Sequence, residues 1–208
     1  FSGAWHTNGE MNRAANKLGH ALKALGVQKG DRVGVQMLNC QELIESFFAV
    51  FKAGAVLVPI NPSLRPPDLS YIYRDAGLCA LISNHRYADN IREARRNAPS
   101  LKHLIFAGDE ISADALSFDT IVKNAPDRII LEETDNDDTA VMIYTAGTTG
   151  NPKGVMLTHY NWYSHVTGYY DQVLLDAWGV TAQGMVREPE GGQKKNPNPE
   201  GEVYGVRR

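Results

Sequence analysis

The segment Met142–His159, "MIYTAGTTGNPKGVMLTH", places anion-binding residue types between two apolar flanks. Glycine has no Cβ, so an anion can approach the backbone N–H groups closely, and glycine also permits the positive φ angles that aim successive donors inward. Threonine hydroxyls add donors, and a lysine supplies a compact, mobile positive charge. This combination suits a phosphate ligand. The candidate phosphate-binding residues are Thr145, Gly147, Thr148, Thr149, Gly150 and Lys153, followed by Gly154.

Two other interpretations of this segment stay open from the residues alone. A Walker P-loop has a glycine, four further residues and then Gly-Lys-Ser/Thr. Counted from Gly147, Lys153 has the right offset, but Pro152 replaces the second glycine and Gly154 replaces the Ser/Thr that would hold magnesium. Proline donates no N–H, which argues against a Walker loop. The remaining interpretation is a Gly/Thr connector without a ligand.

The elements that must position this loop alternate between helix and strand. The capping-box pair Thr7 and Glu10 starts a helix whose apolar stripe ends at Gly26. Short, uniformly apolar strands then alternate with helices, which predicts parallel crossovers and an α/β fold, a mostly parallel sheet with helices on both faces. The predicted strands are "GDRVGVQM", Ala55–Ile60, "CALIS", "HLIFA" and Thr139–Tyr144, and the further helices are Glu42–Ala53, Asp68–Ala76 and Tyr87–Asn97.

The pattern weakens between Gly108 and Asp138. One short helix is predicted around Phe118, Ile121 and Val122. Residues 131–138, "LEETDNDD", form a segment that we name the acidic connector. Its carboxylates are conceivable metal ligands, but no histidine lies nearby and charge runs are usually exposed, so we expect a solvated loop.

A further helix is predicted after the glycine-rich loop. Thr158 is its candidate N-cap, since a threonine hydroxyl accepts a hydrogen bond from a free N–H of the first turn. The apolar face of this helix comprises Trp162, Val166, Tyr169, Tyr170, Val173 and Leu174.

Composition excludes several classes of protein. The 208 residues are 43% hydrophobic and 22% charged with a formal net charge of −3, so no nucleic-acid or anionic-membrane partner is expected. The longest apolar stretch, Leu43–Ile60, is interrupted by Glu45, Lys52 and Gly54 and is too polar for a transmembrane segment.

The cysteines and one arginine cluster are assigned structural roles. Cys40 and Cys79 are far apart and lie beside apolar segments, which predicts reduced, partly buried thiols in a cytoplasmic protein. The helical spacing of Arg92, Arg95 and Arg96 predicts a solvated helix face.

The glycine-rich segment resembles the signature loop of the adenylate-forming enzymes, a superfamily of acyl-CoA synthetases, 4-coumarate–CoA ligases, luciferases and the adenylation domains of peptide synthetases. Their pattern is Tyr-Thr-Ser-Gly-Thr-Thr-Gly-x-Pro-Lys-Gly-Val followed shortly by Thr/Ser-His, and "YTAGTTGNPKGVMLTH" departs from it only at Ala146. "ANKLGHALKALGVQKGDRVGVQMLN", "FFAVFKAGAVLVPINP" and "LSYIYRDAG" resemble the N-terminal subdomain of the same enzymes, in the same order. The resemblance extends over about Thr7 to Leu175.

This resemblance implies a two-step reaction and assigns its parts. A carboxylate, a fatty or aryl acid, attacks the α-phosphate of ATP; a thiol, usually coenzyme A, then displaces AMP from the acyl-adenylate. Mg²⁺ is expected with the ATP, with no protein ligand assigned. The resemblance places the β- and γ-phosphates at Thr145, Ala146, Gly147, Thr148, Thr149, Gly150 and Lys153, and Lys153 is the residue expected to act catalytically, by neutralising the leaving pyrophosphate.

Parts of the family pattern are not found in the chain. The carboxylate pocket, the acidic residue that holds the ribose and the C-terminal domain with its lysine are missing. Residues 1–176 are therefore expected to be part of an N-terminal AMP-binding domain, and 177–208 a Gly/Pro-rich tail. In the tail, "AWGVTAQ" resembles the family's aromatic-Gly-x-Thr-Glu motif, but Ala182 replaces the glutamate and Trp178 and Thr181 receive no role. The alternative is an inactive nucleotide-binding fragment or pseudoenzyme. A homodimer is a further hypothesis.

Overall fold

The structure is a computed structural model that describes residues 6–108, 111, 113–145, 151–165 and 167. Helices and strands alternate over most of this range, as the sequence predicts. The strands are β1 Arg32–Gln36, β2 Val56–Pro59, β3 Ala80–Asn84, β4 His103–Ala107, β5 Leu116–Ser117, β6 Thr139–Thr145 and β7 Lys153–Thr158. The helices are α1 Asn8–Ala24, α2 Gln41–Lys52, α3 Pro66–Asp75, α4 Ala88–Arg95 and α5 Phe118–Asn124, with a 3₁₀ turn at His85–Tyr87 before α4.

One mostly parallel sheet organises the fold. Within the part of the chain described, seven strands are ordered β5-β4-β3-β1-β2-β6-β7. Neighbours pair in parallel from β5 to β6, and β7 runs antiparallel to β6. Because parallel neighbours require crossover helices, the predicted α/β class is confirmed.

Helices cover the sheet on both faces. One face packs against α1, α2 and α5 through residues such as Leu18, Val50 and Phe118. The other face packs against α3 and α4, with Tyr73 and Ile91 at its centre. Successive strand residues point to opposite faces, so each strand serves both cores and reads as a continuous apolar run.

Helix boundaries follow local capping chemistry. The predicted capping box is present, since the Thr7 hydroxyl accepts a hydrogen bond from the Glu10 N–H and the Glu10 carboxylate accepts one from the Thr7 N–H. The helix predicted as Asp68–Ala76 begins earlier, at Pro66, in a stretch expected to be loop. A proline at the first helical position loses no hydrogen bond and has a suitable φ, so these prolines start the helix.

The acidic connector is held against the body of the protein. The Lys23 ammonium lies 2.7 Å from a Glu132 carboxylate oxygen, and the Lys29 ammonium lies 2.8 Å from one of Asp138. Hydrogen bonds with these lysines lower the pKa of both carboxyls. The Glu132 N–H also donates to the carbonyl oxygen of Lys52 at 2.9 Å. The segment expected to be a solvated loop thus makes specific contacts with the ends of two helices.

Two structural assignments need correction. Cys40 is exposed and Cys79 half-buried, both as free thiols, so the prediction of partial burial is wrong for Cys40. In the arginine cluster Arg92 pairs with Asp89 and Asp114, while Arg95 donates to the carbonyl oxygens that follow its helix. The predicted solvated face therefore consists partly of engaged arginines, because guanidinium groups at a helix C-terminus can bind nearby acceptors. No helix of the described residues is long and apolar enough to cross a membrane.

Replacement of Gly54 by alanine should destabilise the chain more than the same change at Gly26. Both glycines have positive φ, +70° at Gly54 and +89° at Gly26, where alanine costs about 1 kcal/mol. A Cβ on Gly54 would also lie 2.7 Å from Cγ of Glu132, whereas one on Gly26 meets nothing within 4 Å. We expect Gly54→Ala to cost about 1 kcal/mol more in unfolding free energy, measured by denaturant titration. Equal losses would show that the acidic connector does not pack on this turn.

Candidate functional site

The glycine-rich loop joins two antiparallel strands. β6 and β7 pair from Thr139 opposite Thr158 to Thr145 opposite Lys153. Sequence patterning does not identify β7, because most of its residues are exposed and no buried face marks it. The loop is therefore the connection of a β-hairpin. Of its predicted phosphate-binding residues, Ala146, Gly147, Thr148, Thr149 and Gly150 lie outside the described residues.

The two described residues of the predicted site form the strand pair nearest the loop of this hairpin. Thr145 is the last residue of β6 and Lys153 the first of β7, both are exposed, and they form a Cα-paired position of the ladder. A hydroxyl and an ammonium group thus flank the loop from both sides. The structure brings together the first and last members of the set predicted from sequence.

The loop of the hairpin follows the edge of the sheet where ligands are usually bound. β6 is parallel to β2, so its carboxyl end lies at the same edge as the carboxyl ends of β1 to β4. In open α/β sheets, ligands bind in crevices beyond this edge. Lys153 and Thr145 are therefore located where a phosphate-bearing ligand is expected on fold grounds.

The strand β6 is less buried than predicted. Its residues Ala140 and Val141 are buried, Met142 to Tyr144 are half-buried and Thr145 is exposed. Its register with β2 consists of a single pair, Leu57 opposite Val141. The strand thus has one register pair with β2, but its residues pack on the two cores as far as Tyr144.

Tyr144 connects the end of β6 to helix α3. Its hydroxyl donates to Oδ2 of Asp75 at 2.6 Å, a contact between residues 69 apart in sequence. Burial raises the pKa of Tyr144, and the hydrogen bond to Asp75 raises it further, so the phenol stays protonated and remains a donor. Sequence reasoning did not find Asp75, since one aspartate at the end of a helix carries no recognisable pattern.

Gly154 provides room for the Tyr144 ring. The two residues pair across the hairpin, and a Cβ on Gly154 would lie 3.2 Å from Cζ of Tyr144 and from Cγ and Sδ of Met142. The glycine after Lys153 was predicted to contribute backbone freedom. The structure adds a packing reason for it, because its φ is not positive and its free face is occupied by two side chains.

A buried polar group lies at the carboxyl end of β1. The hydroxyl of Tyr73 donates to the side-chain oxygen of Gln36, and the hydroxyl of Ser83 donates to the Gln36 carbonyl oxygen. All three side chains are inaccessible to solvent, and burial raises the pKa of Tyr73. In the described part of the chain, Nε2 of Gln36 has no hydrogen-bond partner. The group joins β1, β3 and α3 near the carboxyl edge of the sheet.

At the end of the hairpin away from the loop, a helix cap and aromatic packing follow β7. The Thr158 hydroxyl accepts from the Asn161 N–H, and Oδ1 of Asn161 accepts from the Thr158 N–H, so the predicted N-cap is confirmed. The ring of Phe51 lies 6.3 Å from that of Trp162 and 6.4 Å from that of His159. The other members of the predicted helix face, Val166, Tyr169, Tyr170, Val173 and Leu174, fall where the structure gives no description, as do Trp178 and Thr181.

The fold and the hairpin together define a doubly wound α/β domain with an anion-binding type of loop at the carboxyl edge of its sheet. The chain belongs to the AMP-binding enzyme family, which it matches over residues 1–204. This confirms the resemblance to adenylate-forming enzymes that the loop motif indicated.

Curated relatives and solved structures agree with this assignment. The chain is 35% identical over 177 residues to a crotonobetaine/carnitine–CoA ligase of Salmonella typhimurium, covering 83% of this chain and 32% of that protein. An anthranilate–CoA ligase, AuaEII, solved with anthranoyl-AMP, is 35% identical with a TM-score of 0.70, covering 72% of this chain and 29% of its own. A fatty acyl CoA synthetase of Mycobacterium tuberculosis is 32% identical with a TM-score of 0.69, with coverages of 80% and 32%. The chain thus spans about a third of the length of the curated relatives it matches.

Replacement of Gly154 by alanine should loosen the end of the hairpin. The new methyl group would press on Met142 and Tyr144 at 3.2 Å, and we expect a loss of about 1 kcal/mol in unfolding free energy. Gly9→Ala is the matched control, because its Cβ would meet no atom closer than 3.6 Å in the first turn of α1. Denaturant titration of both variants tests this. A neutral Gly154→Ala variant would contradict the packing role.

Proposed function

We propose that the chain contains the ATP-phosphate site of an acid–thiol ligase, which forms an acyl-adenylate and transfers the acyl group to coenzyme A. The observation that carries the proposal is the Thr145–Lys153 pair, which flanks the signature loop at the carboxyl edge of the sheet. Membership of the AMP-binding family supports it, and so do the relatives named as CoA ligases.

The proposed chemistry divides into positioning and charge stabilisation. A carboxylate oxygen of the acid attacks the α-phosphorus of ATP, and the bond to the bridging oxygen of pyrophosphate breaks. The Thr145 hydroxyl donates to a phosphate oxygen, and the Lys153 ammonium stabilises the charge that develops on the leaving pyrophosphate. Ala146, Gly147, Thr148, Thr149 and Gly150 are proposed to add backbone and hydroxyl donors between them.

Magnesium does not enter the proposed steps. Within the described residues, no group of three or more His, Cys, Asp or Glu side chains is placed to hold a metal ion. Asp75 accepts a hydrogen bond from Tyr144, the residue before Thr145. Mg²⁺ bound with the ATP phosphates stays our proposal, with no protein ligand assigned.

The acid substrate is proposed only as a class. The names of the relatives specify crotonobetaine or carnitine, anthranilate and fatty acyl groups, which share a carboxylate and little else. A fatty or aryl acid stays our proposal, together with coenzyme A as acceptor, a cytoplasmic location and a homodimeric state. The domain boundary at residue 176 also stays a proposal, since it falls among residues that the structure does not describe.

The first test is ATP–pyrophosphate exchange by the full-length protein that contains this chain. We expect exchange that depends on a carboxylic acid and falls about a hundredfold in Lys153→Met, because a charge stabilising the transition state is lost. Lys102→Met is the control, because this exposed lysine lies before the amino end of β4, at the edge of the sheet opposite the hairpin loop. The Lys102→Met protein should catalyse exchange at the unmodified rate. Absence of exchange across a broad panel of acids would overturn the proposal.

A second candidate is a nucleotide-binding fragment or pseudoenzyme. It is favoured by one observation, that Ala182 stands where the family's aromatic-Gly-x-Thr-Glu motif has its glutamate. In this case the chain binds ATP without completing a reaction.

The 208-residue chain by itself is expected to show no acid-dependent release of pyrophosphate, because Thr145, Lys153 and the loop position phosphates but supply no acid pocket. Pyrophosphate release measured with the purified chain, ATP and the same acid panel checks this. Turnover that disappears in Lys153→Met would exclude the second candidate and show that the chain is catalytically sufficient.

A further inference from the structure

The end of the hairpin extends beyond its last register position with the sheet, and half-buried Met142, Ile143 and Tyr144 pack on the two cores there. Beyond Val141, β6 has no further register position with β2, and β7 is its paired strand in the described region. The pair Thr145–Lys153 therefore sits at the end of a two-stranded ribbon. Such ribbons are only marginally stable without additional packing.

One hydrogen bond ties this ribbon to the body of the protein. The Tyr144 hydroxyl reaches Oδ2 of Asp75 at 2.6 Å, whereas the Tyr71 hydroxyl lies 3.5 Å from Oδ1 and is at the limit of hydrogen bonding. Hydrogen bonds to an ionised carboxylate are stronger than neutral ones. Tyr144 immediately precedes Thr145, so the tether acts one residue from the candidate site.

The location of Asp75 is not explained by helix stability. It is the last residue of α3, where the partial negative charge of the helix C-terminus disfavours a carboxylate. It is exposed, so it also adds nothing to the apolar core. Its contact with Tyr144 gives this carboxylate a role that the helix alone does not.

Packing also restrains the ring of Tyr144. Gly154 leaves a space on β7 that the ring covers, and the ring packs beside Met142 against the core formed by α3 and α4. Because Tyr144 and Gly154 pair directly before Thr145 and Lys153, the ring and its tether determine where the last pair of the ladder lies.

We propose that Tyr144 and Asp75 are positioning residues for ATP: their hydrogen bond keeps Thr145 and Lys153 facing each other at the base of the phosphate loop. This inference rests on the proposed function of the loop. Without the tether, the ribbon end samples other arrangements, and apparent affinity falls in proportion to the fraction of molecules that stay competent.

The experiment measures the ATP dissociation constant of the full-length protein by calorimetry, with thermal unfolding in parallel. Tyr144→Phe keeps the ring and removes the hydroxyl, and Asp75→Ala removes the acceptor. Each should weaken ATP binding about fivefold to tenfold, the loss expected for one ordinary hydrogen bond at an exposed position. The double variant should bind no more weakly than either single variant, because both remove the same interaction.

Two controls separate positioning from general stability. Asp75→Asn retains a carbonyl oxygen that can accept a weaker, neutral hydrogen bond from Tyr144, so it should lose less ATP affinity than Asp75→Ala. Tyr160→Phe removes the hydroxyl of an exposed tyrosine beyond the other end of β7 and should have no effect. In exchange assays, KM for ATP should rise more than kcat falls.

The outcomes distinguish this inference from the proposed function. If the unmodified protein and Lys153→Met both fail to bind ATP, the proposed function fails and this inference with it. If Lys153→Met weakens binding while Tyr144→Phe and Asp75→Ala do not, only the positioning role is overturned. Losses that add in the double variant, or that Asp75→Asn reproduces, also overturn it.

Discussion

The antiparallel pairing of β6 with β7 is the interaction on which the candidate site depends. It sets Thr145 opposite Lys153 and thereby fixes the two ends of the glycine-rich loop. The parallel strands supply the platform, since they direct the carboxyl end of β6 to the edge where their own loops emerge. Glycine makes the backbone N–H groups of a loop accessible but also makes the loop flexible. The positions of these donors must therefore be set by the strands at the two ends of the loop.

Much of the fold could be predicted because its determinants are local. The capping box at Thr7, the apolar stripe of α1 and the short apolar strands β1 to β4 each leave a pattern within a few residues. The elements that escaped prediction lack such a pattern. β7 is an exposed edge strand, and the first turn of α3 is built from prolines, which usually indicate loops.

The candidate site also has one part that local sequence patterns predict and another part that they do not. The proposed phosphate-binding character of the loop could be inferred from composition, because the candidate donors lie close together in sequence. The Tyr144–Asp75 contact and the Gln36–Tyr73–Ser83 group join residues from separate elements. None of these residues belongs to a recognisable sequence motif, so the contacts among them become visible only in the three-dimensional structure.

The strand order has a consequence for how the protein assembles. β1 to β4 are joined by successive crossovers and pair with strands close in sequence, whereas β6 must return from the β5 edge to the opposite side of β2. Contacts of such long range cost more loop-closure entropy and tend to form later. The hairpin that carries the candidate site is thus expected to join the sheet after β1 to β4 have paired. A nucleotide bound at the proposed site would stabilise this hairpin by mass action and so couple occupancy to the last pairing step of the sheet.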